Sequence, residues 1–176
     1  MRIAPLVWVA LAAAGCAAPS SQSPSAPGAT ATARLEPTKG NSTAGTVSFA
    51  QRGGKVLVTA NVSGLKPNAE HGFHVHEKGD CSSGDGMSAG GHFNPAGKPH
   101  GMHTAPERHV GDMPNLRADA SGNAKASFEV SGMEIGNGAA DIVGKGLIVH
   151  RDPDDYKSQP AGNAGPRLAC AVIRRG

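Results

Sequence analysis

Seven residues, His-Gly-Phe-His-Val-His-Glu at positions 71–77, bring the first side chains able to do chemistry. Side chains alternate between the two faces of an extended strand, so His74 and His76 share one face. Phe73 and Val75 share the other, as a core-facing pair does. Two imidazoles one strand pitch apart can close on a single metal ion. A lone His-x-His is more often a polar surface strand, and residues further along decide between the two readings. His92, His100, His109 and Asp112 follow. Three imidazoles and a carboxylate make a tetrahedral zinc shell, and Gly111 allows the bend that brings His109 and Asp112 together. His150 ends the apolar run Leu147-Ile148-Val149, where it can reach the sheet end from which His74 and His76 project. Three or four imidazoles in a flattened arrangement suit copper better than magnesium or calcium, which take oxygen.

These side chains need a scaffold of short strands. Alternating or apolar runs predict strands at 46–50 and 55–62, joined by the turn Arg52-Gly53-Gly54, and at 71–77, 115–118, 125–130, 147–150 and 168–173. With 25 Gly, 13 Pro and only 3% aromatic residues, long helices are hard to write and turn-punctuated strands are easy. The expected class is all-β, an antiparallel sandwich or barrel. Residues 79–112 lack periodicity and are rich in Gly, Pro and His. A loop that long needs pins in a compact domain, and a metal and a disulfide are the obvious ones. The net charge of +3 comes from scattered basic residues. No patch marks a nucleic-acid partner, while a small anionic substrate suits the sign.

The amino terminus reads as an address. Arg2 precedes an apolar run at 3–14 that is too short to span a bilayer, which takes about 20 residues. It fits a secretory signal over 1–15. The end of the run, Leu11-Ala12-Ala13-Ala14-Gly15-Cys16, resembles a bacterial lipoprotein signal with lipid on Cys16, although Ala13 stands where that pattern prefers Leu. Cleavage by an ordinary signal peptidase is the competing reading. Residues 16–33 form a Ser, Pro and Ala-rich tether with too little apolar surface to fold, and 34–176 form the domain. The expected location is periplasmic, with membrane contact only through the lipid anchor on Cys16. Three cysteines are an odd number for an oxidising compartment. If Cys16 carries lipid, Cys81 and Cys170 remain as one disulfide; two unrelated buried thiols are the alternative.

The motifs Gly72-Phe73-His74-Val75-His76-Glu77-Lys78-Gly79-Asp80, Gly91-His92-Phe93-Asn94-Pro95, Arg108-His109-Val110-Gly111-Asp112 and Gly162-Asn163-Ala164-Gly165-Pro166-Arg167-Leu168-Ala169-Cys170 resemble those of the copper/zinc superoxide dismutases. The resemblance covers the domain from Thr46 onward. It implies an eight-stranded Greek-key sandwich or barrel, immunoglobulin-like, with long metal-binding and active-site loops. It implies copper on His74, His76, His92 and His150, and zinc on His92, His100, His109 and Asp112, with His92 bridging as an imidazolate. It further implies that Asp154 links His74 to His100, that Arg167 docks the superoxide anion, and that His92 carries a proton into the second half-reaction. The activity implied is dismutation of superoxide to dioxygen and hydrogen peroxide, and the rival is a non-catalytic copper/zinc binding or delivery protein of the same fold. Cys81 lies five residues after His76, and the segment from His150 to Arg167 is short. Both features resemble the exported bacterial branch, in which a monomer or a homodimer is expected. His71, at odd parity to His74, is expected to be structural, and His103 a solvated loop residue.

Overall fold

The computed structural model describes residues 28–176, so the signal, Cys16 and most of the tether lie outside the described residues. Ten strands follow: β1 (Thr30–Pro37), β2 (Ala44–Arg52), β3 (Lys55–Ser63), β4 (Glu70–His71), β5 (Phe73–His76), β6 (Leu116–Arg117), β7 (Ala124–Ser131), β8 (Gly146–His150), β9 (Arg167–Val172) and β10 (Arg174–Arg175). Eight make one antiparallel sheet in the order β5-β8-β9-β1-β2-β3-β7, with β10 paired to β1; β4 and β6 pair separately. After β3 the chain crosses to the far edge at β5, returns to β7 beside β3, and crosses again to β8, which is Greek-key connectivity.

The sheet curls because both of its edges bury side chains in one core. Val56, Val58, Ala60 and Val62 alternate inward along β3, and Phe73 and Val75 of β5 join the same cluster as Ala124 and Val130 of β7. Fully burying a Val, Leu or Phe contributes about 1.5–3 kcal/mol, so this alternation dominates the fold's stability.

Two expectations need correction. The tether was expected to run to residue 33, but β1 begins at Thr30 and pairs with β2 from Thr30 to Leu35. Its inward residues are Ala31, Ala33 and Leu35; two of the three are alanines, too small to stand out from the Ala-rich sequence before them. The strand expected at 71–77 is broken at Gly72. Its N–H donates to Asp152 O (2.9 Å) and its carbonyl accepts from His150 N (2.8 Å). A Cβ there would meet Ala164 Cβ at 2.7 Å, so only glycine lets the chain pass.

The long loop is pinned along β5. Phe93 N donates to Val75 O (2.8 Å), Glu77 N to Gly91 O (2.9 Å) and Val75 N to Gly111 O (3.0 Å). His76 thereby bridges to His92, and His74 to Asp112. A Cβ at Gly111 would collide with Val75 O, so this close approach also requires glycine. The Cys81–Cys170 disulfide, 89 residues apart in sequence, ties the start of the loop to β9.

Candidate metal centre

His74 and His76 are held by the β5–β8 ladder, in which His74 pairs with Ile148 and His76 with Gly146. His150 closes β8 where a bulge shifts its register to Arg167. His92 arrives on the loop laid along β5. All four side chains are buried, and in each one ring nitrogen is anchored while the other is free. His74 Nε2 donates to Asp154 Oδ2 (2.8 Å), His76 Nδ1 to Gly90 O (2.9 Å) and His150 Nδ1 to Gly165 O (3.0 Å). His92 Nδ1 lies 2.8 Å from Asp112 Oδ1. The remaining nitrogens, His74 Nδ1, His76 Nε2, His92 Nε2 and His150 Nε2, are buried without a partner.

A buried polar atom without a partner costs about 1–3 kcal/mol. Four from residues whose ligand atoms lie within 4.8 Å of one another mark a cavity built for a cation. In His74, His76 and His150 the anchored N–H fixes the tautomer and leaves the free nitrogen its lone pair, while His92 Nδ1 faces a second group of ligands. Burial keeps the imidazoles neutral. It pushes His92 down to about 4 against the opposing Asp112 hydrogen bond, and it pushes His150 down to about 3 with help from the His74 charge. Burial, then the charges of His92 and Arg167, holds His76 well below the ordinary range; burial also lowers His74 despite Asp154. Four neutral imidazoles suit copper.

A second group shares His92. Asp112 Oδ1 lies 2.8 Å, 3.0 Å and 3.2 Å from Nδ1 of His92, His100 and His109, and His109 Nδ1 is 3.4 Å from His92 Nδ1. The edges of a tetrahedron with bonds of about 2.0 Å are about 3.3 Å, so one zinc ion fits among these atoms. Asp112 Oδ2 accepts from His109 N (2.9 Å) and Gly101 N (3.1 Å), which orients the carboxylate. Burial opposes ionisation of Asp112, but hydrogen bonds from His100, His109 and His92 outweigh it and hold the carboxyl far below its usual range. For His100, burial lowers the pKa, yet Asp112 and Asp154 carry it up to about 9.

Asp154 joins the two groups: Oδ2 accepts from His74, while Oδ1 accepts from His100 Nε2 (2.9 Å) and Tyr156 N (2.7 Å). Arg167 stands at the rim, half-buried, with Nη1 on Gly86 O and Nη2 on Gly90 O, both at 2.6 Å. These carbonyls flank the 3₁₀ turn Met87–Ala89, and Gly90 O is also the anchor of His76.

The structure thus brings together His74, His76, His92, His100, His109, Asp112, His150, Asp154 and Arg167. His71 is fully buried and lies outside both groups, donating from Nδ1 to His150 O (2.9 Å). His103 was expected to be solvated, but it is half-buried with Nδ1 enclosed, because the loop folds over it.

Sequence reasoning missed three supports. Gln159 holds His100 by both backbone groups, accepting from its N–H (2.8 Å) and donating to its carbonyl (2.9 Å). Asn115 grips the Asp154 backbone in the same two-sided way. Gly162, at φ +65°, lies where a Cβ would collide with Asp154 Oδ1. Only the glycine carried a signal, inside the Gly162–Cys170 motif; a lone Gln or Asn carries none.

The family model for copper/zinc superoxide dismutase matches residues 43–173. A superoxide dismutase [Cu-Zn] of Paramecium bursaria Chlorella virus 1 is 47% identical over 135 residues, which is 73% of this chain and 71% of the viral protein. Superoxide dismutase [Cu-Zn] 2 of Aquifex aeolicus is 46% identical over 123 residues, 68% of this chain and 72% of its own. Among solved structures, the clock protein EA4 superimposes with a TM-score of 0.76 at 39% identity, over 84% of this chain and 94% of that one. The matched span runs from the residue before β2 through the last core position, Ile173, and takes in both histidine groups: the chain belongs to the copper/zinc superoxide dismutase family.

Proposed function

We propose that the protein dismutes superoxide to dioxygen and hydrogen peroxide, with His74, His76, His92 and His150 holding copper and His92, His100, His109 and Asp112 holding zinc. The observation that carries this reading is the set of four buried ring nitrogens without partners, each opposite an anchored nitrogen. When bound, copper supplies one-electron chemistry in both directions, and zinc fixes the His92 ring. Anchored tautomers keep the lone pairs aimed at one point. Arg167, always charged and braced by two carbonyls, docks the anion at the mouth. His92 is the one imidazole that reaches both groups, so its Nε2, buried and without a protein partner, is the atom placed to carry a proton into the second half-reaction.

Metal content and dismutation measured on one purified sample test the reading. Copper and zinc near one each with superoxide turnover is expected; full metal content without turnover makes the protein a copper/zinc binding or delivery protein instead. His150→Ala should lose copper and activity while keeping zinc.

The amino-terminal sequence supports export under a signal at 1–15, a lipid on Cys16, a tether ending before Thr30, and a periplasmic location. The disulfide between Cys81 and Cys170 accords with an oxidising compartment. Mass spectrometry of the native amino terminus tests this: a diacylglyceryl-modified Cys16 is expected, and an unmodified terminus elsewhere refutes the anchor. A monomer or a homodimer fits the domain.

A further inference from the structure

The chain has a single tyrosine, Tyr156, and its backbone sits in the left-handed region at φ +59°. A bulky residue leaves that region unless its surroundings hold it there, because the conformation costs free energy. The other two non-glycine residues with positive φ among the described residues are asparagines, a type that visits the region readily. Tyrosine therefore holds this position against its backbone preference, and what it touches shows why.

At the backbone end, Tyr156 N donates to Asp154 Oδ1 (2.7 Å), the oxygen that also accepts from His100 Nε2 (2.9 Å). At the other end, the phenol oxygen accepts from Asn115 N (2.8 Å). Asn115 donates from Nδ2 to Asp154 O (3.0 Å), and its Oδ1 accepts from Asp154 N (2.9 Å). Asp154, Tyr156 and Asn115 thus close a ring of hydrogen bonds between two segments of the chain. Three residues after Tyr156, Gln159 holds His100 by its backbone. Tyr156 stands between the two residues that fix His100, and its phenol ties their segment to Asn115. It makes no hydrogen bond of its own to either histidine group, so whatever it does there passes through Asp154.

We propose that Tyr156 is a positioning residue for zinc. Its phenol locks the left-handed turn, the turn keeps the Tyr156 N–H on Asp154 Oδ1, and that oxygen sets the His100 ring. The proposal rests on the zinc reading of His92, His100, His109 and Asp112 given above. Without the phenol oxygen, Tyr156 relaxes out of the left-handed region and its N–H turns away from the carboxylate. Copper is less affected, because Asp154 reaches its ligand His74 through Oδ2, and the β5–β8 ladder holds His74 independently.

Tyr156→Phe removes one oxygen atom and leaves the aromatic ring in place. Chelator competition for zinc and for copper on wild type, Tyr156→Phe, Asp154→Ala and the double variant tests the path. Residues that orient metal ligands typically change metal affinity by about 10–100-fold, and Tyr156 acts one step further back. Zinc affinity about tenfold below wild type is therefore expected for Tyr156→Phe, with copper affinity within about threefold. Once Asp154→Ala has removed the oxygen through which Tyr156 acts, adding Tyr156→Phe should change zinc affinity by less than about threefold. Zinc affinity of Tyr156→Phe within about threefold of wild type, an equal loss of both metals, or a tenfold zinc loss that persists in Asp154→Ala would each overturn the proposal. A lowered urea midpoint with zinc affinity unchanged would make the tyrosine purely structural. Wild type that takes up copper and no zinc would overturn the zinc assignment, and the proposal with it. The Tyr156→Phe comparison stays decisive if Asp154→Ala does not fold.

Discussion

Replacing Asp154 by Asn keeps the shape of the side chain and removes its charge. In the native protein the carboxylate accepts from His74 Nε2 at 2.8 Å and from His100 Nε2 at 2.9 Å, and it is only 2% exposed. Hydrogen bonds to a charged group contribute about 1.5–3 kcal/mol each, so about 3–6 kcal/mol of ligand orientation is at stake. The loss should fall unevenly. His74 is also held by the β5–β8 ladder, whereas His100 sits on a loop and relies on Asp154 and Gln159. The share on His100 corresponds to a loss of roughly 10–100-fold in zinc affinity, with a smaller loss for copper. Chelator competition for each metal on wild type and Asp154→Asn measures both. Zinc affinity within threefold of wild type, or copper lost before zinc, would refute the reasoning.

Three further outcomes are expected. Cys81→Ser with Cys170→Ser opens an 89-residue link and should cost about 4–5 kcal/mol in the chain-entropy account, read from urea unfolding under equal metal loading. Arg167→Lys keeps the charge, but one ammonium cannot hold Gly86 O and Gly90 O as the guanidinium fork does; turnover at low substrate should fall several-fold, with metal content intact and salt sensitivity retained. In metal-free protein, His100, raised to about 9, contributes stability that is full below about pH 6.5 and lost as pH rises through 9. His92 and His150, lowered to about 4 and 3, refuse protons that the unfolded chain accepts, so stability also falls as pH drops below about 6.5. A urea midpoint that peaks near pH 6.5 is expected; a steady rise from pH 6 to 9 would contradict the assignment.

The ligands were legible because strand parity and loop motifs are written in residue type. His74 and His76 share a face by period two alone, and the 92–112 run places its ligands within one loop. The break at Gly72 was not legible, because the groups that take its N–H and carbonyl, Asp152 and His150, and the Ala164 that leaves no room for a Cβ, lie more than seventy residues away in the chain. β1 was hidden because its inward residues are mostly alanines, whose burial shows only when Val47 and Phe49 lie opposite. Gln159 and Asn115 act through backbone atoms of His100 and Asp154, a role available to either residue type at almost any surface position. Their value comes from where the loops cross.

The Gly90 carbonyl accepts from both His76 Nδ1 and Arg167 Nη2. A displacement of the loop at this point takes its acceptor from the docking arm and the imidazole together, while the β5–β8 ladder still holds the backbone of His76. Errors at the two groups are therefore correlated. Substitutions at His76 and Arg167 should be non-additive, since the first already frees the oxygen on which the second depends. One oxygen atom sets the tolerance of this mouth.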